Sequence, residues 1–118
     1  MAKITLQGTG TVGGVSRLLQ ERIPESGISC TLVERVSRRF SGGTAELLVF
    51  EKYYMRNSSR ASLSVLISGP EGNTPGTVIV DAIGAGGGQG ALFSFSWGAE
   101  EAFAGIVEKI LEPEGFRA

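Results

Sequence analysis

Residues 60–68 read Arg60-Ala61-Ser62-Leu63-Ser64-Val65-Leu66-Ile67-Ser68. Ala61, Leu63, Val65 and Ile67 alternate with Ser62, Ser64 and Ser68. A period of two puts the apolar set on one face of a strand and the serines on the other. Downstream, Gly69-Pro70-Glu71-Gly72-Asn73 is a turn. Residues 76–83 form the next strand through Val78, Ile79, Val80 and Ile83. Upstream, Arg56-Asn57-Ser58-Ser59 is a turn and residues 44–55 are a long strand. Leu47, Val49 and Tyr53 lie on one side of it, and Leu48, Phe50 and Tyr54 on the other, so cover on both faces is expected. In residues 28–37, Ile28, Cys30, Leu32 and Val36 share one face, and Ser29, Thr31, Arg35 and Ser37 the other. Ser41-Gly42-Gly43 turns the chain between these two strands. Turns this short join antiparallel hairpins rather than parallel crossovers.

Both ends of the chain add helices. Residues 3–7 (Lys3, Ile4, Thr5, Leu6, Gln7) alternate as a short, half-exposed strand. Val12, Val15, Leu18, Leu19 and Ile23 then recur at helical spacing over residues 12–23. Thr11 is the expected N-cap, with Pro24 and Gly27 as the stop. Near the C-terminus, residues 91–96 can form a last short strand with Phe93 and Phe95 on one face. A helix is expected over 98–111, with Ala99, Ala102, Phe103, Ile106, Val107, Ile110 and Leu111 as its apolar stripe. Ser96 or Gly98 would cap it, Glu100 and Glu101 suit its first turn, and Pro113 would end it.

The order β-α-β-β-β-β-(β)-α predicts an α+β fold and one domain over residues 1–118. It is a curved antiparallel sheet of five to six strands with two helices on one face. The order is similar to the helix-grip and TATA-binding-protein-like architectures, a likeness of fold that carries no function.

Composition narrows the chemistry. At 118 residues the chain can bury a core without staples. It has 11 basic and 12 acidic side chains, a net charge of −1, which argues against a nucleic-acid binder. It has no His and one Cys, Cys30. That excludes His-based general bases, Ser-His and Cys-His nucleophile pairs, zinc sites and an internal disulfide. No catalytic set stands out, so the reading leans away from an enzyme and expects no cofactor and no metal. The longest apolar run, Leu47 to Phe50, is far short of a membrane span, and the N-terminus has no run of signal-peptide type. A lone thiol fits a reducing interior. A cytoplasmic protein without membrane or nucleic-acid partners is expected.

Two glycine clusters compete for attention. Gly8-Thr9-Gly10-Thr11-Val12-Gly13 is a literal G-x-G-x-x-G between a strand and a helix, with Glu34 downstream. In a dinucleotide fingerprint Gly8, Gly10 and Gly13 would admit a pyrophosphate and Glu34 would hold a ribose hydroxyl. Against this, Lys3, Thr5 and Gln7 make the strand half polar, and residues 43–96 lack the required βαβ units. A plain glycine turn before the helix is the simpler reading. Gly84-Ala85-Gly86-Gly87-Gly88-Gln89-Gly90 lacks the Lys-Ser/Thr of a P-loop. It reads as a wide bend, or as a lip or backbone anion nest over a pocket.

Charge is uneven: residues 1–60 hold nine basic and five acidic side chains, residues 61–118 two and seven. Arg35, Arg38, Arg39, Lys52, Arg56 and Arg60 fall in adjacent strands and their turns, as a solvated surface or a basic sheet edge for an acidic partner. Asp81 reads as an outward residue of its strand, and Cys30 as a small buried apolar side chain.

The segments Glu51-Lys52-Tyr53-Tyr54-Met55-Arg56, Arg60 with Ser62-Leu63-Ser64-Val65, Gly86 to Gly90, and Trp97-Gly98-Ala99-Glu100-Glu101-Ala102-Phe103 carry a further likeness. Together they resemble a bacterial family of small single-domain proteins of unknown function. The likeness runs from about residue 28 to the second helix and leaves the Gly8–Gly13 motif outside. It implies a small bacterial protein of Gram-positive lineage and brings no activity with it. The residues themselves favour a non-enzymatic module that binds a small ligand or pairs with a second copy of itself. Its site is expected at Tyr53, Tyr54, Arg56, Arg60, Gly86, Gly87, Gly88, Gln89 and Trp97. Nucleotide binding through Gly8, Gly10, Gly13 and Glu34, and protein binding through a sheet edge, are the alternatives.

Overall fold

The computed structural model describes residues 2–26, 30–54, 59–86 and 103–118. The chain runs β1 (Ala2–Gly10), α1 (Val12–Glu25), β2 (Cys30–Phe40), β3 (Gly43–Tyr54), β4 (Ser59–Gly69) and β5 (Gly76–Gly86). The described part of α2 is residues 103–111, followed by a 3-10 turn at Glu112–Glu114. The five strands form one open sheet in the order β1-β5-β4-β3-β2, with every neighbour antiparallel.

The alternation of β4 sets the inner layer. Ala61, Leu63, Val65 and Ile67 are buried, as are Leu48 and Phe50 of β3 and Val78, Val80 and Ala82 of β5. α1 lays Val12, Val15, Leu19 and Ile23 onto this layer, and α2 adds Phe103, Val107 and Leu111 to the same core. Both helices therefore cover one face, as the α+β reading requires.

Several boundaries move. β1 is longer than residues 3–7 because its pairing with β5 continues to Gly10↔Gly76. Thr11 caps α1 as expected, its Oγ1 accepting from the Gly14 N–H at 3.0 Å. Pro24 does not stop the helix. It sits in the last turn, where it forgoes the bond its N–H would make to the carbonyl one turn back, and Ser26 closes the end through its N–H and Oγ, both donating to the Ile23 carbonyl. β5 runs past Ile83 through Gly84 to Gly86, so these glycines belong to a strand and not to the bend. Ser41 and Gly42 alone make the β2–β3 turn, Gly42 at φ 82°, and Gly43 already belongs to β3. Ser59 likewise begins β4. The expected strand at 91–96, the first turn of α2 with its caps, and Ile28, Ser29, Arg56, Gly87, Gly88, Gln89 and Trp97 lie outside the described residues.

Two corrections change which side chains point where. β2 carries a bulge between Leu32 and Glu34, taking up Val33 as an extra residue. A bulge inverts the alternation beyond it. Arg35 therefore pairs with inward Leu48, and Val36 with outward Leu47, the reverse of the expected faces. The second correction concerns β3, whose outer side is not covered by any described element. Leu48 and Phe50 are fully buried, whereas Leu47 and Val49 are half-buried and Tyr53 is exposed.

The chain end seals one edge of the sheet. Gly115, at φ 91°, turns the backbone after α2, and Arg117 exchanges two backbone hydrogen bonds with Gln7 of β1. Phe116 is thereby buried directly over Gly8, where an added Cβ would lie 2.6 Å from the ring. Gly8→Ala should lower the unfolding free energy by about 1–3 kcal/mol through this overlap. Gly13→Ala, whose Cβ meets open space, should cost nothing. Urea denaturation of the two variants checks the contrast; equal midpoints would contradict it.

Candidate functional site

Among the described residues, no helix lies on the outer face of the sheet. The strand pairings arrange it in rows running from β1 to β2. One row is Thr5, Asp81, Leu66, Leu47, Val36, and its neighbours are Lys3, Ile83, Ser64, Val49, Glu34 and Gln7, Ile79, Ser68, Ala45, Arg38. Asp81 apart, the middle of each row is apolar or hydroxylated, and Val36 apart, the ends are polar or charged. Leu66 is 41% exposed and Ile79 38%, while Leu47, Val49, Val36 and Ile83 are half-buried. Thr5 donates from Oγ1 to the Asp81 carboxylate at 2.7 Å, satisfying the acid outward as expected.

Two of the predicted ligand residues, Tyr53 and Arg60, fall at one end of this face, and Gly86 and Tyr54 lie at the same end of the sheet. Tyr53 pairs with Arg60, whose guanidinium lies 5.8 Å from the ring centroid and 3.9 Å from the Glu51 carboxylate. Gly86 pairs with Ala61 on the neighbouring strand. Tyr54 is the last residue of β3, opposite Ser59. The other members of the predicted set lie outside the described residues.

The glycine motif is dispersed. Gly8 and Gly10 belong to strand β1, with Gly8 under Phe116, and Gly13 is in the first turn of α1. β1 and β2 are opposite edges of an antiparallel sheet, so the β1-α1-β2 segment is not the parallel unit that frames a pyrophosphate. Glu34 lies on the outer face, on the other side of the sheet from Gly13.

A polar cluster that the sequence reading missed sits on the inner side, beneath α1. Glu46 of β3 shares the inward face with Leu48 and Phe50 and is buried. Ser16, buried in α1 beside the apolar stripe, donates from Oγ to Glu46 Oε1 at 2.5 Å. Gln20 Nε2 donates to Ser16 Oγ at 2.8 Å. Arg35, turned inward by the bulge, donates from Nε to the same Oε1 at 2.7 Å. Two clefts meet at Glu46 and Gly13. One of about 550 Å³ is also lined by Arg17, Gln20, Glu21 and Arg35. The other, about 380 Å³, is also lined by Arg38, Arg39, Thr44 and Asn73. The signal was present: Glu46 is an acid on the core phase of β3, and Ser16 is a hydroxyl four residues after Val12 and three before Leu19.

Among the described residues, no cluster of three or more His, Cys, Asp and Glu side chains forms that could hold a metal, and no helix is long and apolar enough to cross a membrane.

These features define a small α+β domain with a sheet face that no described helix covers and a polar cleft under its first helix. The chain belongs to the family of unknown function DUF6054, which matches residues 1–114. The match takes in the Gly8–Gly13 segment, which the resemblance drawn from the sequence had left out. No curated protein matches the chain.

Cys30, buried at the start of β2, yields a pH prediction. Burial pushes its thiol pKa up, and the nearby Lys52 ammonium works against that rise. Both folded and unfolded states keep the proton at neutral pH. Above about pH 8.5 the unfolded thiol ionises first, so stability falls as pH rises toward the folded value. Urea midpoints measured from pH 7 to 10 should decline more steeply for the wild type than for Cys30→Ala. Parallel curves would contradict a raised pKa.

Proposed function

We propose that this chain is a non-enzymatic assembly module that pairs with a second copy of itself through the outer face of its sheet. The observation that carries the reading is the exposed apolar centre of that face, Leu66 and Ile79 with half-buried Leu47 and Val49 around them. Exposed apolar patches of this kind mark contact surfaces on soluble domains.

Size, charge and the state of the edges support this occupant. Five strands about 4.8 Å apart make a face of about 600 Å² per copy, so that two copies bury about 1,200 Å², the lower range of stable interfaces. The row Lys3, Ile83, Ser64, Val49, Glu34 has a cation at one edge and an acid at the other. A two-fold axis parallel to the middle strand β4 sets β1 of one copy over β2 of the other. Lys3 then faces the second copy's Glu34, twice in the dimer, and Gln7 faces the second copy's Arg38. Edge-to-edge pairing is the less favoured route. The C-terminal tail occupies part of β1, and β2 carries a bulge and the charges of Glu34, Arg38 and Arg39. The reading also places the protein in a bacterial cytoplasm, where the lone thiol stays reduced.

Sedimentation velocity at micromolar concentration tests it. The wild type should sediment at twice the 12.4 kDa chain mass. Leu66→Glu, a change at an exposed position, should weaken association at least about thirtyfold and keep the fold. A wild type that stays monomeric, or a Leu66→Glu variant that dimerises unchanged, would overturn the reading.

A further inference from the structure

The cleft at Glu46 contains an acceptor that no described residue satisfies. Both of its partners, Ser16 and Arg35, reach Oε1. Oε2 receives no hydrogen bond from any described residue, yet the side chain is only 9% exposed. A buried carboxylate oxygen without a donor is costly, and such atoms generally have a partner. Neither of the two clefts that meet here is filled by a side chain from α1, because Gly13 stands between them and a Cβ there meets nothing within 4 Å.

The surroundings select the complement. Arg17 and Arg35 line one cleft and Arg39 the other, against Glu21 as the only acid besides Glu46 among the described lining residues. A simple anion would suit the arginines and be repelled by Glu46. A simple cation would suit Glu46 and be repelled by the arginines. Each cleft has the volume of a small-molecule site. We infer that the double cleft binds a small amphoteric molecule, whose N–H donors meet Glu46 Oε2 and whose phosphate or carboxylate is held by the flanking arginines. Guanidinium groups bind both anions in the same bidentate manner, so an amino acid and an amino-bearing nucleotide share the required chemistry. The site lies on the helix side of the sheet, opposite the proposed dimer face, and stands whether or not the chain dimerises.

Isothermal titration calorimetry of the wild type, Glu46→Gln and Gly13→Leu tests the assignment. The probes, each at millimolar concentration, are the twenty α-amino acids and the four common nucleoside 5′-monophosphates. Inorganic phosphate and methylammonium serve as single-charge controls. At least one amphoteric probe should bind, and which set it comes from decides between amino acid and nucleotide. Its affinity should exceed that of both controls and fall about tenfold or more in Glu46→Gln. Gly13→Leu fills the cleft from an exposed helix position, so it should abolish binding while circular dichroism shows the wild-type fold. It also keeps the test decisive if Glu46→Gln fails to fold. The inference is overturned if no amphoteric probe gives heat, if phosphate alone binds as tightly, or if the folded variants bind like the wild type.

Discussion

One-sided packing of the central strand is the constraint on which this molecule depends. Ala61, Leu63, Val65 and Ile67 occupy the middle of a five-stranded sheet, and every other inner residue is in register with them. A slip of one residue would turn all four to the outside. Two helices fit over one face of such a sheet, and nothing in the described chain remains to cover the other. The outer apolar row around Leu66 follows directly from that division.

The same constraint explains where polar residues are expensive and where they are free. Lys3, Thr5, Gln7, Ser62, Ser64 and Ser68 lie on the outer phase of their strands, where solvent or a partner meets them. Glu46 and Ser16 lie on the inner phase and are joined by hydrogen bonds. The bulge at Val33 contributes the third member. Without it Arg35 would face outward and Glu46 would lose the cation that neutralises it. An irregularity in an edge strand thus both discourages edge pairing and completes an internal charge pair.

Much of the fold was legible because β4 and α1 alternate cleanly. The class, the single sheet, the placement of both helices on one side and the Thr11 cap follow from residue periods and turn residues. What was not legible has specific physical causes. The bulge leaves no local mark in Leu32-Val33-Glu34-Arg35, so the faces of Arg35 and Val36 came out reversed. The continuous apolar run Leu47 to Phe50 suggests cover on both faces, although a strand bordered by long neighbours half-buries its outer residues without any second layer. Gly8 resembles part of a nucleotide motif, but its contact is Phe116, which lies 108 residues later and which no local pattern connects to it. Of the candidate site, Tyr53, Arg60 and Gly86 do come together at one end of the sheet. The Glu46 cluster needed the three-dimensional register of two strands and a helix.

Carbodiimide cross-linking followed by mass spectrometry tests the central claim, that the outer face is an interface between two copies, most directly. Within one chain Lys3 and Glu34 sit on opposite edges, four strand spacings or roughly 19 Å apart. A zero-length linker cannot join them there. Across a face-to-face dimer with its axis along β4 they are opposed. The account predicts a Lys3–Glu34 amide confined to the species of double mass. Double-mass species whose links all lie elsewhere, or the absence of any such species, would contradict it.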